Sequence, residues 1–106
     1  MTSQDIQPHN IKTAAAWNTG GQHYERISQT IADSIEHCVN RLAPIPGQHV
    51  LDVATGTGWA ARRAALRGAT VIGVDLGADL IEAAKAAAAE AKLPIDFRVG
   101  DAENLP

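Results

Sequence analysis

Apolar positions along the chain follow two different spacings. From Tyr24 they fall at Ile27, Ile31, Ile35, Cys38 and Leu42, three or four residues apart, which places them on one face of a helix. One packing helix is therefore predicted over 24–42. It should stop before Pro44, because the residue ahead of a proline is pushed out of the helical region, and 44–47 reads as a turn. A shorter helical stretch over 11–17 precedes it, separated by Thr19, Gly20 and Gly21.

After that turn the pattern changes. Residues 49–54 form a compact apolar run bounded by turn residues, the length of a buried strand. A Gly/Thr loop over 55–58 leads into a helix-favouring stretch over 59–67, and Gly68 stands where a helix C-terminus often places glycine. Residues 70–74 are rich in β-branched side chains and end at Asp75. After a turn over 76–78, residues 79–92 are a helix on propensity, alanine being the best helix former. Leu93 and Pro94 break it, 95–99 alternates as a third strand, and 100–106 reads as a loop.

Strand, helix, strand, helix, strand is the order of a parallel sheet with right-handed crossovers, half of a doubly wound α/β fold. The expected organisation is an N-terminal helical extension or lid over 1–46, followed by the first half of a cofactor-binding domain over 47–106. With 106 residues the chain can bury one core. A net charge of −3 with no cluster of Lys and Arg argues against nucleic acid or an anionic membrane as a partner. The polar start with Asp5 lacks the basic residues and apolar run of a signal peptide, so a cytoplasmic protein is expected. Cys38 is the only cysteine and the four histidines show no ligand spacing with it, so no metal is expected.

In such sheets ligands lie beyond the carboxyl ends of the strands. Three sites fall there: the run Val50-Leu51-Asp52-Val53-Ala54-Thr55-Gly56-Thr57-Gly58, then Asp75, then Gly100-Asp101-Ala102. Gly56 and Gly58 permit a tight turn and a close approach of ligand to backbone. The two oxygens of Asp75 suit the two hydroxyls of a ribose. A dinucleotide fingerprint also fits, with Gly56, Gly58 and Ala61 in its three places. Asp52 counts against it, since a carboxylate beside the loop opposes a pyrophosphate and favours a cation.

These residues resemble the class I S-adenosylmethionine-dependent methyltransferases. Residues 50–58 are similar to motif I, and Asp75 and Asp101-Ala102 fall where motifs II and III belong. The run 100–106 resembles the small-molecule branch, which includes ubiquinone and menaquinone C-methyltransferases, and the resemblance covers roughly residue 24 onward. It implies a Rossmann-like three-layer sandwich, truncated to three parallel strands in the order 3-2-1 behind N-terminal helices. It also implies S-adenosylmethionine as cofactor and a small-molecule methyl acceptor.

By this resemblance, Gly56 and Gly58, with Thr55 and Thr57 in the same loop, pass under the methionyl part. Asp52 holds the amino group, Asp75 the ribose, Asp101 the adenine amine and Ala102 the ring, while Leu76 flanks the adenine face. Ala54 departs from the family's usual glycine, a mild restriction of the loop. The family's catalytic base usually lies after strand four or later, so no catalytic residue is assigned.

Tyr24 reads first as a core aromatic, and with Trp17 and His23 as a lid contact hinged at Gly20-Gly21. His23 and His37 read as surface residues, Cys38 and Trp59 as packing, and Arg62 and Arg63 as a solvated helix face. The free edge of the first strand should be covered, which leads to the expectation of a trimmed domain or a homo-oligomer through that edge. An NAD(P)-dependent reductase domain and a non-catalytic self-associating fragment are the alternatives.

Overall fold

Three parallel strands, β1 (His49–Val53), β2 (Thr70–Asp75) and β3 (Asp96–Val99), form one sheet with β2 in the centre. A computed structural model describes residues 5–20 and 24–105. Pairing runs from His49 opposite Thr70 to Val53 opposite Val74, and from Ile72 opposite Asp96 to Asp75 opposite Val99. The order 3-2-1 implied by the resemblance is the order found. Ahead of the sheet lie a 3₁₀ turn (Pro8–Asn10), α1 (Ile11–Asn18), α2 (Tyr24–Thr30) and α3 (Ala32–Leu42). The crossovers are α4 (Trp59–Leu66) and α5 (Ala78–Glu90), and a second 3₁₀ turn, Ala102–Asn104, follows β3.

The core lies on one face of the sheet, where α4 and α5 pack through Ala61, Ala64, Ile81 and Ala84 against Val71 and Phe97. The small side chains of Ala84 and Ala88 let α5 sit close to the strands. Phe97 is the piece that connects core to loop. A Cβ on Gly73 would fall 2.6 Å from its ring and one on Gly58 2.7 Å, so both positions must be glycine for the ring to support the loop from below. At the sheet's β1 edge, Leu51 and Val53 are 49% and 43% exposed.

The helix expected over 24–42 is two helices. Ile31 leaves the helical region at φ −118°, ψ 18°, and its N–H bonds to the Ser28 carbonyl three residues back. The Thr30 hydroxyl donates to the Ile27 carbonyl at 2.6 Å, a local bond that competes with the helical ladder. The break changes which side chains are buried: Ser28 and Val39 are, whereas Ile27, Ile31 and Leu42 are exposed. Cys38, expected in the core, is exposed because α3 packs on α4 with Val39 as its buried residue.

Arg62 and Arg63 are likewise not a solvated face. Their guanidinium groups lie 5.5 and 4.8 Å from the Trp59 ring centroid, and Arg63 is ion-paired with Glu36 of α3. β1 ends at Val53, one residue earlier than expected, because Ala54 turns left-handed. Among the described residues no helix is long and apolar enough to cross a membrane.

Candidate functional site

The loop from β1 to α4 makes its bend with Ala54, Gly56 and Gly58 at φ 58°, 58° and 87°. Ala54 is the only one of the three with a side chain, and a left-handed Cβ costs about 1–2 kcal/mol. Local bonds hold the shape. Thr55 N–H donates to the Val74 carbonyl and Gly58 N–H to the Thr55 carbonyl, both at 2.9 Å. Beneath the loop, the Thr55 hydroxyl donates to Asp52 Oδ2 at 2.7 Å. Burial pushes the Asp52 carboxyl above its ordinary range, opposed by that hydroxyl and the Ala61 amide and reinforced by the charge of Asp75.

Asp75 ties two loops together. Its Oδ2 accepts from Gly56 N–H at 2.8 Å and its Oδ1 from Gly77 N–H at 2.9 Å, so one carboxylate fixes both the glycine bend and the entry to α5. Each oxygen keeps a further acceptor lobe.

At the end of β3, Asp101 is 2% exposed and accepts three donors. Glu103 N–H reaches its Oδ1 at 2.9 Å, while Asn10 Nδ2 at 2.8 Å and Gln7 N–H at 3.1 Å reach Oδ2. The Asn10 bond above all, with the Glu103 amide, holds the Asp101 carboxyl below the usual carboxylate range. The second hydrogen of Asn10 Nδ2 goes to Glu103 Oε2 at 2.8 Å, and His9 Nε2 contacts the same oxygen. Glu103 is lowered too, chiefly by His9 and then Asn10. At its other end α1 places Asn18 Oδ1 against Asp79 N–H at 2.6 Å, capping α5 from a distant segment.

Together these loops enclose a cavity of about 340 Å³ beyond the carboxyl ends of the strands. Of the residues singled out in the sequence, Ala54, Gly56, Asp75, Leu76, Asp101 and Ala102 line it. Asp52, Thr55, Thr57 and Gly58 do not; they form the layer beneath the bend, where Thr55, Thr57 and Gly58 are buried. Trp17 lines the cavity from α1 while 54% exposed. His23 and Gly21 lie outside the described residues, as does the Tyr24 side chain.

Sequence reasoning missed the contribution of the N-terminal turn. Gln7, His9 and Asn10 carry no motif, and Asn10 read alone is an ordinary residue ahead of a helix. Charge decides what the cavity can receive. Asp75, Asp101 and Glu103 line it, and among the described residues no Lys or Arg does. The Gly56 amide that a pyrophosphate would need is already spent on a carboxylate. Cations and hydrogen-bond donors are favoured there, and phosphates are repelled.

Residues 50–106 match the family described as methyltransferase domain. The chain belongs to that family. Ubiquinone biosynthesis O-methyltransferase of Chromobacterium violaceum is 42% identical over 67 residues, 63% of this chain and 29% of that protein. The solved YcgJ protein of Bacillus subtilis superimposes with a TM-score of 0.65 at 28% identity, covering 70% of this chain and 32% of that one. The solved cyclase SpnF gives a TM-score of 0.66 at 30% identity, over 74% of this chain and 30% of that one. The chain spans 22–32% of the length of curated relatives it matches. The sheet of this methyltransferase-family chain is thus the Rossmann-like arrangement that the resemblance implied.

Proposed function

We propose that this chain is the cofactor-binding portion of an S-adenosylmethionine-dependent methyltransferase whose acceptor is a small molecule. One observation carries the reading. The cavity is lined by three carboxylates and no cationic side chain, over a glycine bend whose amide is held by Asp75. S-adenosylmethionine carries an ammonium and a sulfonium and no phosphate, which fits that lining; a nicotinamide dinucleotide does not.

The residues divide the work by position. The free lobes of Asp75 accept the ribose hydroxyls, and Leu76 covers one face of the adenine. Ala102 and Asp101 meet the edge of the base. Ala54 and Gly56 form the floor under the methionyl part, with Thr55, Thr57 and Gly58 keeping the bend in shape. Asp52, under that floor, draws the ammonium toward β1, and Trp17 stands at the opening. When bound, the cofactor supplies a methyl group on a good leaving group, so the protein's task is to orient donor and acceptor for in-line displacement.

The small-molecule acceptor is inferred from the ubiquinone-pathway relatives, whose names describe O-methylation. The cyclase neighbour shows that the fold alone does not fix the reaction, so transfer itself must be measured. Intact protein incubated with methyl-labelled S-adenosylmethionine and a panel of phenolic and quinol acceptors should pass label to at least one of them. A protein that binds the cofactor yet labels nothing in such a panel would overturn the assigned acceptor class.

A further inference from the structure

The wall at the end of β3 presents acceptors, and the reason lies in Asn10. Both hydrogens of its side-chain amide are committed, one to Asp101 Oδ2 and one to Glu103 Oε2, each at 2.8 Å. Carboxylates only accept, so these two bonds fix which end of the amide faces them. The remaining polar atom of Asn10 is Oδ1, an acceptor, on a residue that lines the cavity. Asp101 is similarly constrained. Its Oδ2 already takes two donors, whereas Oδ1 takes one, from Glu103 N–H, and keeps a lobe.

We infer that Asn10 Oδ1 and Asp101 Oδ1 form a two-acceptor clamp for the exocyclic amine of the bound purine, which makes Asn10 a specificity-determining residue for an amino over an oxo base. The inference rests on the proposed reading of the cavity as an adenosyl site and names what selects the base within it. An amine offers two hydrogens to two acceptors. A carbonyl oxygen at the same position would face acceptors on both sides, and an unmatched polar group in a site built for its partner is strongly rejected. The N-terminal turn, some 91 residues away in sequence from Asp101, thereby becomes part of the base-recognition surface.

The test is calorimetric titration of intact protein and its Asn10→Ala variant with S-adenosylhomocysteine and with S-inosylhomocysteine, the 6-oxo analogue. Wild type should prefer the amino compound by about 100-fold or more. In Asn10→Ala the affinity for S-adenosylhomocysteine should fall about tenfold, roughly one lost hydrogen bond, while that for the oxo analogue changes by less than about twofold. The preference therefore narrows about tenfold. That ratio is taken within one protein, so a share of unfolded variant cannot produce it.

Equal weakening for both ligands would mean that Asn10 merely holds the turn, and the clamp would be refuted while the cofactor reading stands. Equal affinity of wild type for the two ligands would refute the clamp in the same way. Wild type that binds neither would instead overturn the adenosyl reading itself, and the clamp with it.

Discussion

The two walls of the cavity are built in opposite ways. At β1 and β2 the contacts are local: Asp52 meets Thr55 three residues on, and Asp75 meets Gly56 across 19 residues. At β3 the acidic pair Asp101 and Glu103 is held by Gln7, His9 and Asn10, from 91 to 94 residues away. The first wall forms with its strands and bend. The second depends on a surface segment docking back on the sheet, and it can be loosened without disturbing the core. The two differ electrostatically as well: burial raises Asp52, whereas hydrogen bonds lower Asp101 and Glu103.

The largest effect should come from the residue that binds both loops of the first wall. Asp75→Ala removes the acceptor for Gly56 and Gly77 along with the proposed ribose contact, and S-adenosylhomocysteine affinity should fall at least about 100-fold, some 2.7 kcal/mol. Calorimetry of the variant checks this, and a loss under threefold would show that the loops hold without it.

Asp52→Asn separates stability from binding. A folded-state carboxyl pKa above its unfolded value means that the charged form is a burden at neutral pH, relieved as pH falls toward the folded value. The amide keeps an acceptor for Thr55, so denaturant midpoints should stay level or rise while cofactor affinity drops about tenfold. A destabilised variant with full affinity would reverse the assignment.

The second wall has the opposite sign. Carboxyls lowered by folding contribute stability that is complete above their unfolded pKa, near 4, and is lost as pH falls through the lower folded value. The bonds from Asn10 and Gln7 should therefore persist from neutral pH to about pH 4 and release below it. Side-chain and amide NMR signals of those two residues report this directly; release between pH 6 and 5 would contradict it.

The smallest change is at the floor. Ala54→Gly removes a Cβ from a residue at φ 58°, but adds freedom to the unfolded chain. These terms nearly cancel, leaving a gain of about 0.5 kcal/mol in thermal or denaturant unfolding. A loss of 1 kcal/mol would show that the methyl packs usefully against the cavity.

What could be read in the sequence follows the same division. The alternation of apolar runs and glycine-bounded turns specified three parallel strands, because each βα unit is set by neighbours in the chain, whereas their order came from the resemblance to the methyltransferase family. Ala54, Gly56 and Asp75 were legible for that reason, each being at a strand end. The break at Ile31 was not, since the apolar spacing continues through it and only the Thr30 hydroxyl bond gives it away. Cys38 and Val39 are adjacent, and which one faces α4 depends on that break. Asn10 and Asn18 act on partners that folding alone brings near.

Everything proposed for the cavity depends on its receiving an adenosyl amino acid that carries an ammonium and no phosphate, rather than a phosphate-bearing dinucleotide. Calorimetric titration of the intact protein with S-adenosylhomocysteine and, separately, with NADH tests this most directly. One equivalent of S-adenosylhomocysteine should bind with a dissociation constant of order micromolar, about 8 kcal/mol, while NADH gives no binding heat. Saturable NADH binding with no response to S-adenosylhomocysteine would contradict the account.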